Sequence, residues 1–200
     1  MDDLETAGLA FGRLSAQFIR DKVVPELDAF RFASYCGISG VTKKEETLAD
    51  GAATVAALST AVTAMDDEEV TATGRYLFIT PTLLQGINDM DTTKSKKVLE
   101  GFEQVIKVPQ RRFYTAIKQL SGKTGEEAGG YTKATGAANI NFAIVQKDAL
   151  IQYTKHAAPK IIAPENNPDA DAYVFGYRMV GIAKAYKNML SGMYFSHDKA

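Results

Sequence analysis

Tryptophan is absent, cysteine occurs once, histidine twice and proline six times in 200 residues. The single cysteine, Cys36, excludes an internal disulfide, and no Asn-x-Ser/Thr acceptor occurs, so nothing in the chain requires an oxidising compartment. His156 and His197 have no cysteine or histidine at metal-ligand spacing, which leaves zinc without a ligand set. No apolar run approaches the roughly 18 residues that cross a bilayer, and Asp2 and Asp3 stand where a signal peptide would carry bases. The Gly-x-Ser-x-Gly elbow of serine hydrolases is missing, and Cys36 follows a helical stretch with no nearby base to make it a thiolate. Gly122-Lys123-Thr124 copies the end of a phosphate-binding loop, but Ile117 stands where that loop needs its first glycine. The expectation is a chain with no catalytic residues, no cofactor, no metal site and no membrane span.

What is present is an ordinary apolar content, 46%, enough for a core, and a charge of only −1 that is unevenly spread. Residues 1–70 hold 13 acids and 6 bases, and the remainder 11 acids and 17 bases, so the two parts carry −7 and +6. Such a split suits subunits that pack acidic part against basic part.

The longest pattern runs from Leu4 to Tyr35. Leu4, Ala7, Phe11, Leu14 and Phe18 fall three and four apart, and Ile19, Val23, Leu27 and Phe30 carry the face onward. Asp2, Asp3 and Glu5 suit the positive end of a helix. Pro25 has no N–H for the carbonyl of Asp21, so two helical segments are expected to meet near Val24. A rod of about 48 Å with one narrow apolar seam needs a sheet or another protein laid along it.

Beyond it, residues 37–46 read as a surface loop and Leu48 to Met65 as a second helix closed by the acidic run Asp66 to Glu69. Arg75 to Thr80 reads as a strand stopped by Pro81, Thr82 to Asn88 as a short helix, and Thr92 to Gly101 as a polar, turn-prone patch. Val105 to Val108 and Arg112 to Ile117 read as strands separated by Pro109. Ser121 to Ala138, with five glycines, reads as a mobile loop. Asn141 to Gln146 is expected to be a strand and Ala149 to Tyr153 a helical turn. Lys160 to Ala163 is another strand, and the alternating stretch from Tyr173 to Val180 opens a long one that turns back at Lys187-Asn188 into Met189 to Ser196.

Two side-chain clusters deserve a place among candidate sites. Asp169 and Asp171 offer oxygens to a cation, but aspartate is also favoured in turns for its own backbone hydrogen bonds. Lys94, Lys96, Lys97, Lys107, Arg111, Arg112 and Lys118, with Phe102 and Phe113 between them, form a basic region able to meet phosphates or another subunit.

Several segments resemble the major capsid proteins of tailed bacteriophages and their prophages. These are Asn141-Phe142-Ala143-Ile144-Val145, Lys155 through Pro164, Asn167 through Tyr173, and Tyr177-Arg178. Lys22 through Phe32 and Gly74 through Pro81 are similar to earlier segments of that family, in the same order.

The resemblance implies the Hong Kong ninety-seven phage coat fold: an α+β chain with a long spine helix on an antiparallel sheet, plus an axial domain of mixed sheet and helices. Residues 1–45 (spine) and 155–200 (C-terminal strands) would form the peripheral domain, and 46–154 mostly the axial domain. Coat proteins of this kind precede the spine with an N-terminal arm and an extended hairpin, so a truncated form is expected. The implied function is a structural, self-assembling shell protein with no catalysis. It would lie in the virion capsid and assemble in the bacterial cytoplasm. Its implied partners are other copies in capsomers, a scaffold or maturation protease, and DNA enclosed without specific recognition. An encapsulin-like cellular shell protein and a nucleic-acid-binding module are the alternatives.

Overall fold

The structure, a computed structural model, describes residues 4–168 and 170–199; the expected caps Asp2 and Asp3 lie outside the described residues. The chain opens with α1 (Leu4–Phe18), a π-helical turn (Ile19–Val23) and α2 (Val24–Cys36). The two α-helical segments expected to meet near Val24 are there, α2 beginning at that residue, and a π turn rather than a break joins them. The wider π turn, closed by the Val24 N–H on the carbonyl of Ile19, lets the helix continue through a residue that cannot donate and that would crowd a carbonyl one α-turn back.

The rest of the chain supplies β1 (Thr42–Glu45), α3 (Gly51–Asp67), β2 (Arg75–Ile79), α4 (Pro81–Asp89), α5 (Thr93–Glu100), β3 (Gln104–Lys107), β4 (Ile117–Gln119), β5 (Tyr131–Lys133), β6 (Ile140–Gln146), β7 (Leu150–Ile162), β8 (Val174–Ala185) and β9 (Met193–His197). Asp50 caps α3, its carboxylate accepting from the Ala53 N–H at 2.7 Å. Pro81 ends β2 and opens α4, where its missing N–H is no loss.

A five-stranded sheet in the order β1-β9-β6-β2-β3 holds the centre, with β1/β9 and β2/β3 parallel and the inner pairs antiparallel. Every residue of β6 is buried. Phe142 and Ile144 face a layer built from α3, α4 and α5 through Leu58, Met65 and Ile87. Ala143 and Val145 face the opposite layer, where Tyr35 and Cys36 end α2 beside Phe113 and Phe195. The strand's alternation is thus split between two cores, which is why it is apolar on both sides.

β7 and β8 form a separate two-stranded ribbon, with a bulge between Thr154 and His156. The spine lies along this ribbon: Phe11 and Phe18 meet Phe175 edge-on at ring distances of 6.3 and 5.9 Å, and Phe11 meets Tyr173 at 5.4 Å. Farther along, the Tyr35 hydroxyl donates to Gln152 Oε1 at 3.1 Å.

Several sequence expectations need correction. Residues 42–45 are an edge strand, held by β9 although all four side chains are exposed. Thr92 to Gly101 is mainly helix, because Thr92 and Ser95 satisfy each other's backbone N–H groups at 3.2 Å. Arg112 to Ile117 is no strand: Gln110–Arg112 is a 3-10 turn, with one bridge from Tyr114 to Asn139 before β4 begins. The Ser121 to Ala138 segment contains β5, paired with β4 as a small arm. The helical turn near Ala149 is only the 3-10 turn Lys147–Ala149, and β7 starts at Leu150. The strand after Lys187-Asn188 does not return along β8. A 3-10 turn at Leu190–Gly192 redirects it into the five-stranded sheet as β9.

Candidate functional site

The residues with chemical potential are scattered. Cys36, 2% exposed, lies in the core below the sheet, where burial pushes its thiol up and away from thiolate. His156 stands exposed on β7 opposite Val180, and His197 ends β9 with its Nδ1 2.7 Å from the carbonyl of Asp198. Gly122, Lys123 and Thr124 lie at the tip of the β4–β5 arm between two strands, where no helix N-terminus follows. Asp171 is exposed, and Asp169 lies outside the described residues. Among the described residues no three His, Cys, Asp or Glu side chains gather as a metal site.

The basic region also comes apart. Lys94, Lys96 and Lys97 are exposed on α5, whereas Lys118 belongs to the β4–β5 arm. Lys96 pairs with Asp91 at 2.6 Å, Arg112 with Asp28 at 3.2 Å and Lys118 with Glu126 at 2.6 Å. Phe102 and Phe113 are core residues, so neither offers a ring for a base to stack on.

What the fold does assemble is contact surface. A groove of about 610 Å³ runs between the spine and β8, lined by Phe18, Val23, Leu27, Phe30, Tyr177 and Met179, with Glu26 and Arg31 at its polar side. The spine leaves Leu14 61% exposed and the ribbon leaves Ile161, paired with Phe175 on its spine side, 58% exposed; Tyr153, 61% exposed and paired with Ile182, lies on the ribbon's other face. Large apolar side chains held in solvent on two neighbouring elements are expensive for an isolated domain and are the ordinary mark of a surface that another protein covers.

No protein-family model and no curated protein matches the sequence. Solved structures do. A chain from Mycobacterium phage Che8 matches with a TM-score of 0.59 at 10% identity, over 98% of this chain and 67% of its own. Another, described as the capsid structure of the cyanophage P-SCSP1u, matches with a TM-score of 0.52 at 17% identity, over 99% of this chain and 66% of its own. The fold is that of a phage coat protein. This coat-fold chain spans about two thirds of the length of each of those two chains.

Parts of the coat fold escaped the sequence reading, β1 and α5 among them. β1 carries Thr42, Lys43, Lys44 and Glu45, a run with no apolar alternation, and only its pairing to β9 makes it a strand. α5 carried one usable signal, Thr92 three residues before Ser95. It differs from the usual capping pattern in having serine where glutamate or glutamine is expected.

Proposed function

We propose that this chain is a structural subunit of a tailed-phage or prophage shell, a major capsid protein of the Hong Kong ninety-seven type that self-associates into capsomers without catalysis or cofactor. The observation that carries the proposal is the coat fold itself, matched over 98% and 99% of the chain by the two phage structures. The exposed apolar surface on the spine and ribbon supports it, since a shell subunit must bury such surface against neighbours. In this reading the spine with β7–β8 forms the peripheral domain and the five-stranded sheet with α3, α4 and α5 the axial domain. That division departs from the expected 1–45 and 155–200 against 46–154 by moving β1 and β9 to the axial side and residues 150–154 to the peripheral one. The acidic and basic parts of the chain would favour contacts between unlike surfaces of successive copies.

Light scattering over a concentration series at low and moderate salt, followed by electron microscopy of any large species, tests the proposal. Pentamers, hexamers or closed shells are the expected products, at least when the chain is mixed with the arm and hairpin segments of a coat protein. A chain that stays monomeric under every condition, with and without those segments, would overturn it.

A further inference from the structure

The two long strands β7 and β8 contain no acid at all. Across 13 and 12 residues they carry Lys155, Lys160, Arg178 and Lys184, together with His156. All five side chains are exposed, and among the described residues no carboxylate lies within ion-pair distance of any of the four cations. Of the bases elsewhere, Arg20, Lys44, Arg75, Lys96, Arg112 and Lys118 have an acidic partner; what sets the ribbon apart is that its two strands hold no acid of their own.

Strand geometry puts the ribbon's cations largely on one side. In β8 Phe175 turns toward the spine, where it meets Phe11 and Phe18, and Tyr177 and Met179 follow it there by alternation. Arg178 and Lys184 therefore point away from the spine. Residues paired across an antiparallel ladder share a face, so Lys160, opposite Gly176, and His156, opposite Val180, join them. The spine blocks one face of the ribbon and leaves the other free of acids, with these cations set among the exposed apolar side chains of Tyr153, Val174, Val180 and Ile182. From Gly176 to Lys184 it extends for roughly 27 Å at about 3.4 Å per residue, a length over which a DNA duplex presents about sixteen phosphates at one charge per 1.7 Å of axis.

We propose that this face of the β7–β8 ribbon contacts the phosphates of duplex DNA, without reading sequence, and is the side of the subunit turned toward the enclosed nucleic acid. The inference rests on the shell reading for its setting, though not for its test. A protein partner fits less well, because an acidic polypeptide would have to match a stripe that offers charge at intervals along its length. A duplex supplies negative charge everywhere.

Binding of the chain to a 30-base-pair duplex of arbitrary sequence is measured as a function of salt from about 20 to 200 mM, using fluorescence anisotropy. Substitution of Lys160, Arg178 and Lys184 by glutamine should lower the slope of log K against log salt by about 2.7, or about 0.9 for each charge removed. The matched variant Lys94→Gln, Lys96→Gln, Lys97→Gln removes the same charge from α5 and should leave the slope unchanged. Thermal melts check that both variants remain folded, which the exposure of all six positions favours. No binding by the parent chain at 20 mM salt, or equal losses from the two variants, overturns the proposal. So does a loss of self-association rather than of DNA binding in the ribbon variant, which would make the face a subunit contact. A chain that binds DNA through the ribbon and never assembles would sink the shell reading and leave this one standing.

Discussion

Arg75 is 2% exposed, yet its guanidinium is fully engaged: it donates to the carbonyls of Val70 and Thr71 and pairs with Asp66 at 2.7 Å. The end of α3 is thereby tied to the start of β2 through one side chain whose planar fork reaches three acceptors at once. Arg75→Met keeps the stem and removes the donors, leaving two carbonyls short of a partner, and should cost about 2 kcal/mol in urea unfolding. Arg75→Lys should recover less than half, because a single ammonium cannot span the three acceptors. At the surface, Glu126 is drawn down to about 2, first by the hydrogen bond from Lys118 and then by the Ser121 N–H at 2.8 Å. Because the folded value lies below the unfolded one, this contribution is complete above the ordinary carboxylate range and fades as pH falls through about 2. A carboxyl titration by NMR should find Glu126 near 2 in the parent chain and higher after Lys118→Ala. An unchanged value would mean that Lys118 is not the main cause.

Elements are fixed by a few close approaches as much as by their apolar faces. Gly51, at the start of α3, lies so near the Gly86 carbonyl of α4 that an added Cβ would collide with that oxygen, whereas a Cβ at Gly86 would meet Gly51 at 3.4 Å. Gly51→Ala should therefore destabilise by about 2 kcal/mol or more, while Gly86→Ala should be neutral or slightly stabilising through better helix propensity. Equal effects from the two would show that the helices slide apart freely. The β4–β5 arm is the opposite case. Residues 121–130 are mostly exposed, and replacing them by a two-residue turn should shift the melting temperature by no more than about 2 °C.

Periodicity made the spine, α3, β2, β6 and most of β8 legible, because each has a face that must be buried. β1 and α5 were not: Lys43 and Lys44 leave β1 no buried face and only its pairing with β9 makes it a strand, whereas α5, with Lys94, Lys96 and Lys97 dominating its sequence, starts on its own Thr92–Ser95 cap and rests Val98 and Leu99 on the core. The start of β7 was obscured by Gln152, Thr154, Lys155 and His156, which replace alternation with polarity on a ribbon that is half solvent. Of the candidate sites, the acid-free ribbon face needed the pairing of Lys160 with Gly176 and of Ala158 with Arg178 to become one surface.

For the whole molecule the decisive feature is the position of β9. It lies between β1 and β6, so β1 has no other strand beside it, and one edge of β6 is bare until residues 193–197 arrive. Met193, Tyr194 and Phe195 also fill both cores. A chain ending at Gly192 should show no cooperative unfolding transition by calorimetry or denaturant titration, and a sharp transition in that chain would overturn this account of the sheet. The same placement bears on synthesis. On a ribosome, residues 1–192 can form local helices and the β7–β8 hairpin, but the central sheet stays open until the last strand has cleared the exit tunnel. If neighbouring copies recognise one another through the finished fold, chains growing side by side on one messenger have nothing complete to offer each other. Any assembly that needs the finished fold then waits for β9, and the order of synthesis sets the order of events.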